Sequence, residues 1–367
     1  MLHGIASAPE LPRMLGESFL SLAGGSMTER RRVLYVGALQ PGSTALHRRT
    51  ALEQLGLSVI SLDTHPFASA GPRLARSARH RLAWGGPVIS RLNSELVALG
   101  GDSDVDLVWI DKGVWIKPAT LAALSVPGRR LIHYAGDSMI LIQRSRHFLA
   151  SIPLYDVVIT AKRYELEAYE LYGAQRVMLL LHGYDQELFR PRPLAVDEQE
   201  RFASDVCFVG RHERHYRHRI RAASETGAEV AVWGGWQRAA VMRPWVQRVV
   251  RGPGVWNEDY VRALNGAKIG LGLLTRLAPD ESTTRTFEIP ACGTMLLAER
   301  SREHSELFEE GKEAEFFTGD GEMQEKIRWY MSHDRARNQI AAAGRERAVQ
   351  SSYTYLERMR SAIEAIG

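Results

Sequence analysis

Asp280-Glu281-Ser282-Thr283-Thr284-Arg285-Thr286-Phe287-Glu288-Ile289-Pro290-Ala291-Cys292-Gly293 is the stretch around which the rest of the chain is read. It follows the apolar run Ile269-Gly270-Leu271-Gly272-Leu273-Leu274, which has the length and composition of a buried strand. Ser282, Thr283 and Thr284 offer an N-cap, and Gly293 offers a helix stop, so a short helix is expected between them. A helix start presents unpaired N–H groups and the positive end of a dipole, which suits a phosphate. Arg285 falls in that first turn, where a cation is disfavoured until an anion arrives. Glu288 lies about one turn further on, on the same face. The local chemistry is that of an anion site with a carboxylate beside it, placed to accept hydrogen bonds from sugar hydroxyls next to a diphosphate. An ordinary strand–helix junction with an exposed Arg–Glu pair is the plain alternative.

Outward from this stretch the chain alternates apolar runs with helical patterns. The opening run Arg32-Val33-Leu34-Tyr35-Val36-Gly37, a helix over 45–55 and a second run over 57–62 make a βαβ unit of a doubly wound sheet. Between them, Gly37 and Gly42-Ser43-Thr44 nearly spell a P-loop, but Ser43 stands where the phosphate-neutralising lysine belongs, and no third glycine opens the helix. Kinase and dehydrogenase readings weaken accordingly. Ser43 and Thr44 serve either as helix N-caps or as cleft residues. Further strands over 106–111, 130–135, 155–160 and 176–181 end in polar groups. Parallel strands carry ligand sites at their carboxyl ends, so Asp111, Lys112, His133, Asp137 and Lys162 are rim candidates. Asp137 is expected to contact an acceptor hydroxyl or to cap the helix that follows. The α/β pattern restarts at Asp205-Val206-Cys207-Phe208-Val209-Gly210, with Arg211, Arg214 and Arg217 after it. A planar guanidinium suits a diphosphate because it pairs two oxygens at once. A Pro-containing polar stretch over 191–204 reads as a linker. Trp233 and Trp256 are either core residues or stacking surfaces for a base.

The chain has 367 residues and a formal charge of +4, enough for two domains and without a block of like charge that would imply nucleic acid. Its two cysteines, Cys207 and Cys292, are expected as buried free thiols in a reducing compartment, which favours the cytoplasm. No apolar run is long enough to span a membrane. An Arg-rich stretch over 72–93 is expected as an amphipathic helix with a solvated face, allowing at most peripheral membrane contact. Residues 1–31 lack a basic head and a long apolar core and are read as a flexible leader.

The run Arg285 to Gly293, followed by residues 303–312 with Phe308 and Gly311, resembles the C-terminal signature of GT-B-fold glycosyltransferases. It is similar to CgeB-like proteins and to the larger retaining group with an E-x7-E motif. The resemblance implies that Glu288, the second acidic position, contacts the nucleotide ribose. Asp280 stands at the first position, where the group carries Glu. It further implies that Gly210 and Arg211 hold the donor diphosphate, with Arg217 or Arg214 as the second basic residue. The segment from His182-Gly183-Tyr184-Asp185 to Phe189-Arg190-Pro191 is similar to the one that closes the N-terminal domain in these enzymes. The loop carrying Ser43 and Thr44 would then border donor and acceptor.

The expected fold is therefore α/β, with two Rossmann-like domains facing a cleft. An acceptor domain spans 32–190, a linker 191–204 and a donor domain 205–350, and a C-terminal helix over 351–367 crosses back onto the first domain. The expected function is metal-independent, retaining transfer of a sugar from a nucleoside-diphosphate sugar to an acceptor hydroxyl, with no cofactor. Donor contacts are expected from Gly210, Arg211, Arg217, Ser282, Thr283, Thr284, Arg285, Thr286 and Glu288. Asp137, Arg211 and Asp280 are the catalytic candidates. Ser43, Thr44, Lys112 and His182 are expected on the acceptor side of the cleft. An inverting enzyme would need a general base, for which Asp137 or His47 would serve. A sugar-nucleotide epimerase and a non-catalytic nucleotide-sugar binding subunit remain as alternatives.

Overall fold

A computed structural model of the chain describes residues 31–72, 86–101 and 104–367. The expected leader and most of the Arg-rich stretch lie outside the described residues. Two six-stranded parallel sheets organise the rest. The first comprises β1 (Arg32–Gly37), β2 (Ser58–Asp63), β3 (Leu107–Asp111), β4 (Arg130–Ala135), β5 (Val157–Thr160) and β6 (Val177–Leu179), in the order β2-β1-β3-β4-β5-β6. The second comprises β7 (Ser204–Val209), β8 (Val230–Trp233), β9 (Val250–Gly252), β10 (Ala267–Gly272), β11 (Met295–Glu299) and β12 (Glu315–Phe317), in the order β12-β11-β10-β7-β8-β9. The strand order reverses between β1 and β3 in the first sheet and between β7 and β10 in the second. Those switch points open crevices at the strands' carboxyl ends.

The continuous apolar runs follow from burial on both faces. Val33 and Tyr35 of β1 pack with Leu107, Trp109, Ile132 and Tyr134 on one side. Leu34 and Val36 pack with Val108, Ile110 and Leu131 on the other. The period-two alternation of strands thus assigns each residue its layer. On the first face the cover is α1 (Thr44–Gln54) and the chain's last helix, Tyr355–Ile366, whose Tyr355, Met359, Ala362 and Ile366 join that core. The C-terminal helix therefore crosses back from the second sheet to complete, beside α1, the cover of the first, as expected.

Several local expectations change. The polar stretch 191–204 is not a bare linker: Val196–Phe202 is helical, and Glu198 returns its carboxylate to the Ala195 N–H at 3.0 Å. Phe202 is buried and stacks on Trp233, which is why an otherwise polar segment folds onto the second sheet. The helix after the 252–256 loop is Asn257–Asn265, and β9 together with helices Gln237–Met242 and Pro244–Val249 fills a stretch that the sequence pattern left without elements. Among the described residues, no helix is long and apolar enough to cross a membrane. Both cysteines are free and buried.

Candidate functional site

The site is built at the two switch points. In the second sheet, the helix Arg285–Ala291 follows β10 through the loop 273–284. Its start is formed differently from the expected hydroxyl cap. Thr284, the N-cap residue, makes no side-chain cap bond. Ser282 instead donates to Glu303 Oε2 at 2.6 Å. Thr286 sits in a chain of its own: His304 Nδ1 lies 2.7 Å from the Glu299 carbonyl oxygen, and His304 Nε2 lies 2.9 Å from Thr286 Oγ1. A carbonyl only accepts, so Nδ1 carries the proton and Thr286 donates to Nε2 while accepting the Thr283 N–H at 3.1 Å. Burial holds the His304 ring neutral, its pKa lowered to about 4. The serine and threonine hydroxyls thus brace the turn rather than cap it. Among the described residues the Thr284 and Arg285 amides donate no hydrogen bond, and the buried Thr283 Oγ1 has no partner.

Arg285 corrects a second expectation. Its guanidinium does not project toward an anion; it donates to the carbonyls of Leu273 at 2.9 Å and Val209 at 3.3 Å, and lies over the Phe208 ring. It ties the ends of β7 and β10 together across the switch point. Glu288 is buried on the same helix and accepts a hydrogen bond from Tyr260 at 2.8 Å. Burial pushes its carboxyl up to about 7, against the hydrogen bonds from Tyr260 and Thr284 and the nearby Arg285 charge. Such a group exchanges protons near neutrality and marks a candidate site.

Gly210 ends β7 and hands the chain to Arg211. Its carbonyl accepts from the Trp236 indole at 2.8 Å. Gly234, at φ +146°, passes so close that any Cβ there would run into that same carbonyl. Arg211 is exposed and pairs with Glu213 at 2.9 Å. Arg214, Arg217 and Arg243 have no carboxylate partner among the described residues; partial burial and the charges of Arg243 and Arg214 lower the Arg217 pKa. That arrangement is a basic cluster short of an anion. Glu299, at the end of β11, gathers His215, Arg219 and Arg276 together with the Leu274 N–H. Trp233 is core, whereas Trp256 is 63% exposed beside Gly42 of the first sheet's opening loop.

Asp280 faces the other half of the chain. Lys162 Nζ lies 2.9 Å from its Oδ2, and the Tyr164 hydroxyl donates to its Oδ1 at 2.7 Å. The neighbouring Arg163 reaches Glu303 and Glu306. Lys162, which the sequence places at a strand end, is therefore paired across the cleft.

At the first switch point, Ser43 caps α1 by accepting the Leu46 N–H at 3.2 Å, and Thr44 accepts from Arg48. Both line a cavity of about 470 Å³, together with Asp111, Lys112 and Gln143. Lys112, at φ +67°, pairs with Asp137 at 2.5 Å, and Gln143 donates to the same carboxylate. Desolvation raises the Asp137 carboxyl, but the Lys112 charge outweighs it and holds the pKa well below the usual range. Asp137 is thus an ion-paired cleft residue, not a helix cap. His182 is buried against Gly136, and burial with the Lys162 and Arg48 charges keeps it neutral, its pKa lowered to about 3. His47 is buried between Phe189 and Tyr355. His133 is corrected from rim to core: it packs among Phe148, Tyr155 and Tyr169, with neither ring nitrogen bonded. Tyr260, Arg48 and Glu299 carry parts of the site without a local sequence signal, because their partners come from distant segments.

Two parallel sheets with facing crevices and a C-terminal helix that returns to the first sheet make the GT-B architecture. Residues 211–364 match a family model described as glycosyl transferase-like. The structure is similar to that of Anabaena HepE, solved in complex with UDP and glucose, with a TM-score of 0.62 at 15% identity over 92% of this chain and 99% of that one. It is also similar to a glycosyltransferase from Rickettsia africae, with TM-score 0.64, 13% identity, and 92% and 98% covered. A sucrose-phosphate synthase from Thermosynechococcus elongatus matches with TM-score 0.64, 12% identity, and 92% and 98% covered. Identities this low establish a common fold. Among proteins of curated function, none matches the chain in sequence.

Proposed function

We propose that this protein transfers a sugar from a nucleoside-diphosphate sugar to an acceptor hydroxyl, with retention at the anomeric carbon and without a metal ion or cofactor. The observation that carries the reading is Glu288: a buried carboxylate beside the second switch point, oriented by Tyr260 and poised near neutrality. There it would accept hydrogen bonds from the ribose hydroxyls. The free Thr284 and Arg285 amides and the unpaired Arg217, Arg214 and Arg243 cluster would hold the diphosphate, with Gly210 leaving room and Arg211 closing from outside. Negative charge grows on that leaving group as the glycosidic bond breaks, so donors fixed around it lower the barrier. Asp280, with Lys162, would meet the sugar, and Asp137 the acceptor hydroxyl. HepE, with UDP and glucose in its crystal, makes uridine nucleotides the first donors to try.

The test is a thermal-shift panel of nucleoside diphosphates with and without EDTA. A ligand at a hundred times its Kd adds about 2.7 kcal/mol, a shift of roughly 5–10 °C at this size. One diphosphate standing out, undiminished by EDTA and lost in Glu288→Ala, supports the reading. Equal shifts in Glu288→Ala and the parent would overturn the donor site. Consumption of the sugar nucleotide by isomerisation, without acceptor, would indicate an epimerase; binding with neither consumption nor transfer would indicate a binding subunit.

A further inference from the structure

We infer that the cavity at the first switch point takes an alcohol with an apolar body as the acceptor, rather than a free saccharide; this rests on the transferase reading above. The cavity's floor is polar and under-satisfied. Asp111 receives three hydrogen bonds on one oxygen: Oδ2 accepts from Arg48 Nε at 2.9 Å, Arg48 Nη2 at 2.5 Å and the Tyr35 hydroxyl at 2.9 Å. Its Oδ1 takes none among the described residues. Arg48, 1% exposed and stacked over Tyr134, leaves Nη1 without a partner, and Gln40 Oε1 is likewise buried and unpaired. Buried polar atoms are rarely left so, and two on one floor, beside an Asp111 Oδ1 that takes no hydrogen bond among the described residues, point to a ligand group that pairs with them. A hydroxyl has one proton, so it would donate to Asp111 Oδ1 and accept from Arg48 Nη1, leaving Gln40 Oε1 for another donor.

Above the floor the walls change character. Leu92, Val114, Trp115, Ile116, Ala68 and Ile142 line the cavity. Of the polar wall residues, Lys112 and Gln143 are already bound to Asp137. Beyond the floor the Ser43, Thr44 and Thr64 hydroxyls are the remaining polar side chains of the lining, so most hydroxyls of a saccharide would lie against apolar walls and lose their hydrogen bonds to water without replacement. An apolar body gains from the same walls. The apolar surface continues outward: Ile142 and its neighbour Leu141 are 43% and 56% exposed at the mouth. The volume, about 470 Å³, is that of a site for a whole small molecule.

The test is calorimetric titration of the full chain with 2-naphthol, 1-decanol, glucose and maltose, without donor. At least one of the two apolar alcohols is expected to bind and neither sugar to do so; naphthol alone marks an aromatic aglycone, and decanol alone an alkyl chain. Ala68→Trp, which fills the cavity from a half-buried position, and Ile142→Asp, at the exposed mouth, should each weaken that binding at least tenfold with an unchanged nucleotide thermal shift. Binding of the sugars in place of the alcohols, or alcohol binding unaltered in both variants, overturns the inference. Alcohol binding without any nucleotide response would leave the acceptor class standing and overturn the transferase reading instead.

Discussion

Lys162 and Asp280 form an ion pair across the cleft, Nζ to Oδ2 at 2.9 Å, with side chains only 6% and 13% exposed. Lys162 follows β5 of the first sheet and Asp280 precedes the helix that carries Glu288. Tyr164 holds the second carboxylate oxygen, and Arg163 grips Glu303 and Glu306. Three consecutive residues of one half thus clasp the other half beside the site.

Removing one partner of a nearly buried pair strands the other charge. Lys162→Met and Asp280→Leu should each cost about 3–5 kcal/mol, while the double variant should recover much of that loss. Denaturant unfolding of the four proteins measures the coupling. Additive losses would show that the pair does not act as a unit.

Glu288 gives the protein a pH signature. Its folded pKa of about 7 lies above the ordinary 4.5. Between those values the folded chain holds a proton that the unfolded chain has released, so this group's contribution falls as pH rises from about 4.5 to 7, by about 3 kcal/mol in all. Glu288→Gln should flatten that part of the stability profile. Affinity for an intact nucleotide sugar, whose diphosphate does not titrate there, should tighten in the opposite sense from about pH 6 to 8. It should lose that dependence in Glu288→Gln.

The buried histidines set the acid limit. His133, His182 and His304 have folded pKa values of about 3, 3 and 4, below the ordinary 6.5. The unfolded chain therefore binds more protons below pH 6.5, and stability is lost as pH falls through that point toward 4. Melting temperatures should decline over that range. Thr286→Val, which leaves His304 Nε2 without its donor, should cost about 1–3 kcal/mol at neutral pH.

Gly234 tests the backbone geometry at the second switch point. At φ +146°, with the Gly210 carbonyl where a Cβ would go, Gly234→Ala must push the Gly210–Arg211 turn aside. We expect weakened nucleotide binding and a lower melting temperature. Gly235→Ala, where a Cβ meets nothing within 4 Å, is the control and should leave both unchanged.

Much of this was legible in the sequence. Apolar runs marked both sheets because strands buried on two faces need apolar residues at every position, and the resemblance to GT-B enzymes pointed to a last helix crossing back. The 280–293 stretch announced a strand–turn–helix with a carboxylate at its first turn. The sequence could not say where its polar side chains would point. Arg285 reads as an anion contact but gives Nη1 and Nη2 to two carbonyls, and Ser282 reads as a cap and Thr286 as a donor contact, but they bind Glu303 and His304. The hidden linker helix depended on one aromatic, Phe202, finding Trp233.

Sequence by itself determined the layers, the strand ends and the place of Glu288 one turn after Arg285, since these follow from local periodicity and turn chemistry. Only the tertiary structure decided which charges are free. Asp280 is paired with Lys162, 118 positions away in the chain, Arg48 is sunk against Asp111, and Arg217 is left with like-charged neighbours. Hydrogen bonds and ion pairs form between groups within a few ångströms of one another, and that proximity is set by how two sheets close on each other rather than by the spacing of residues along either one.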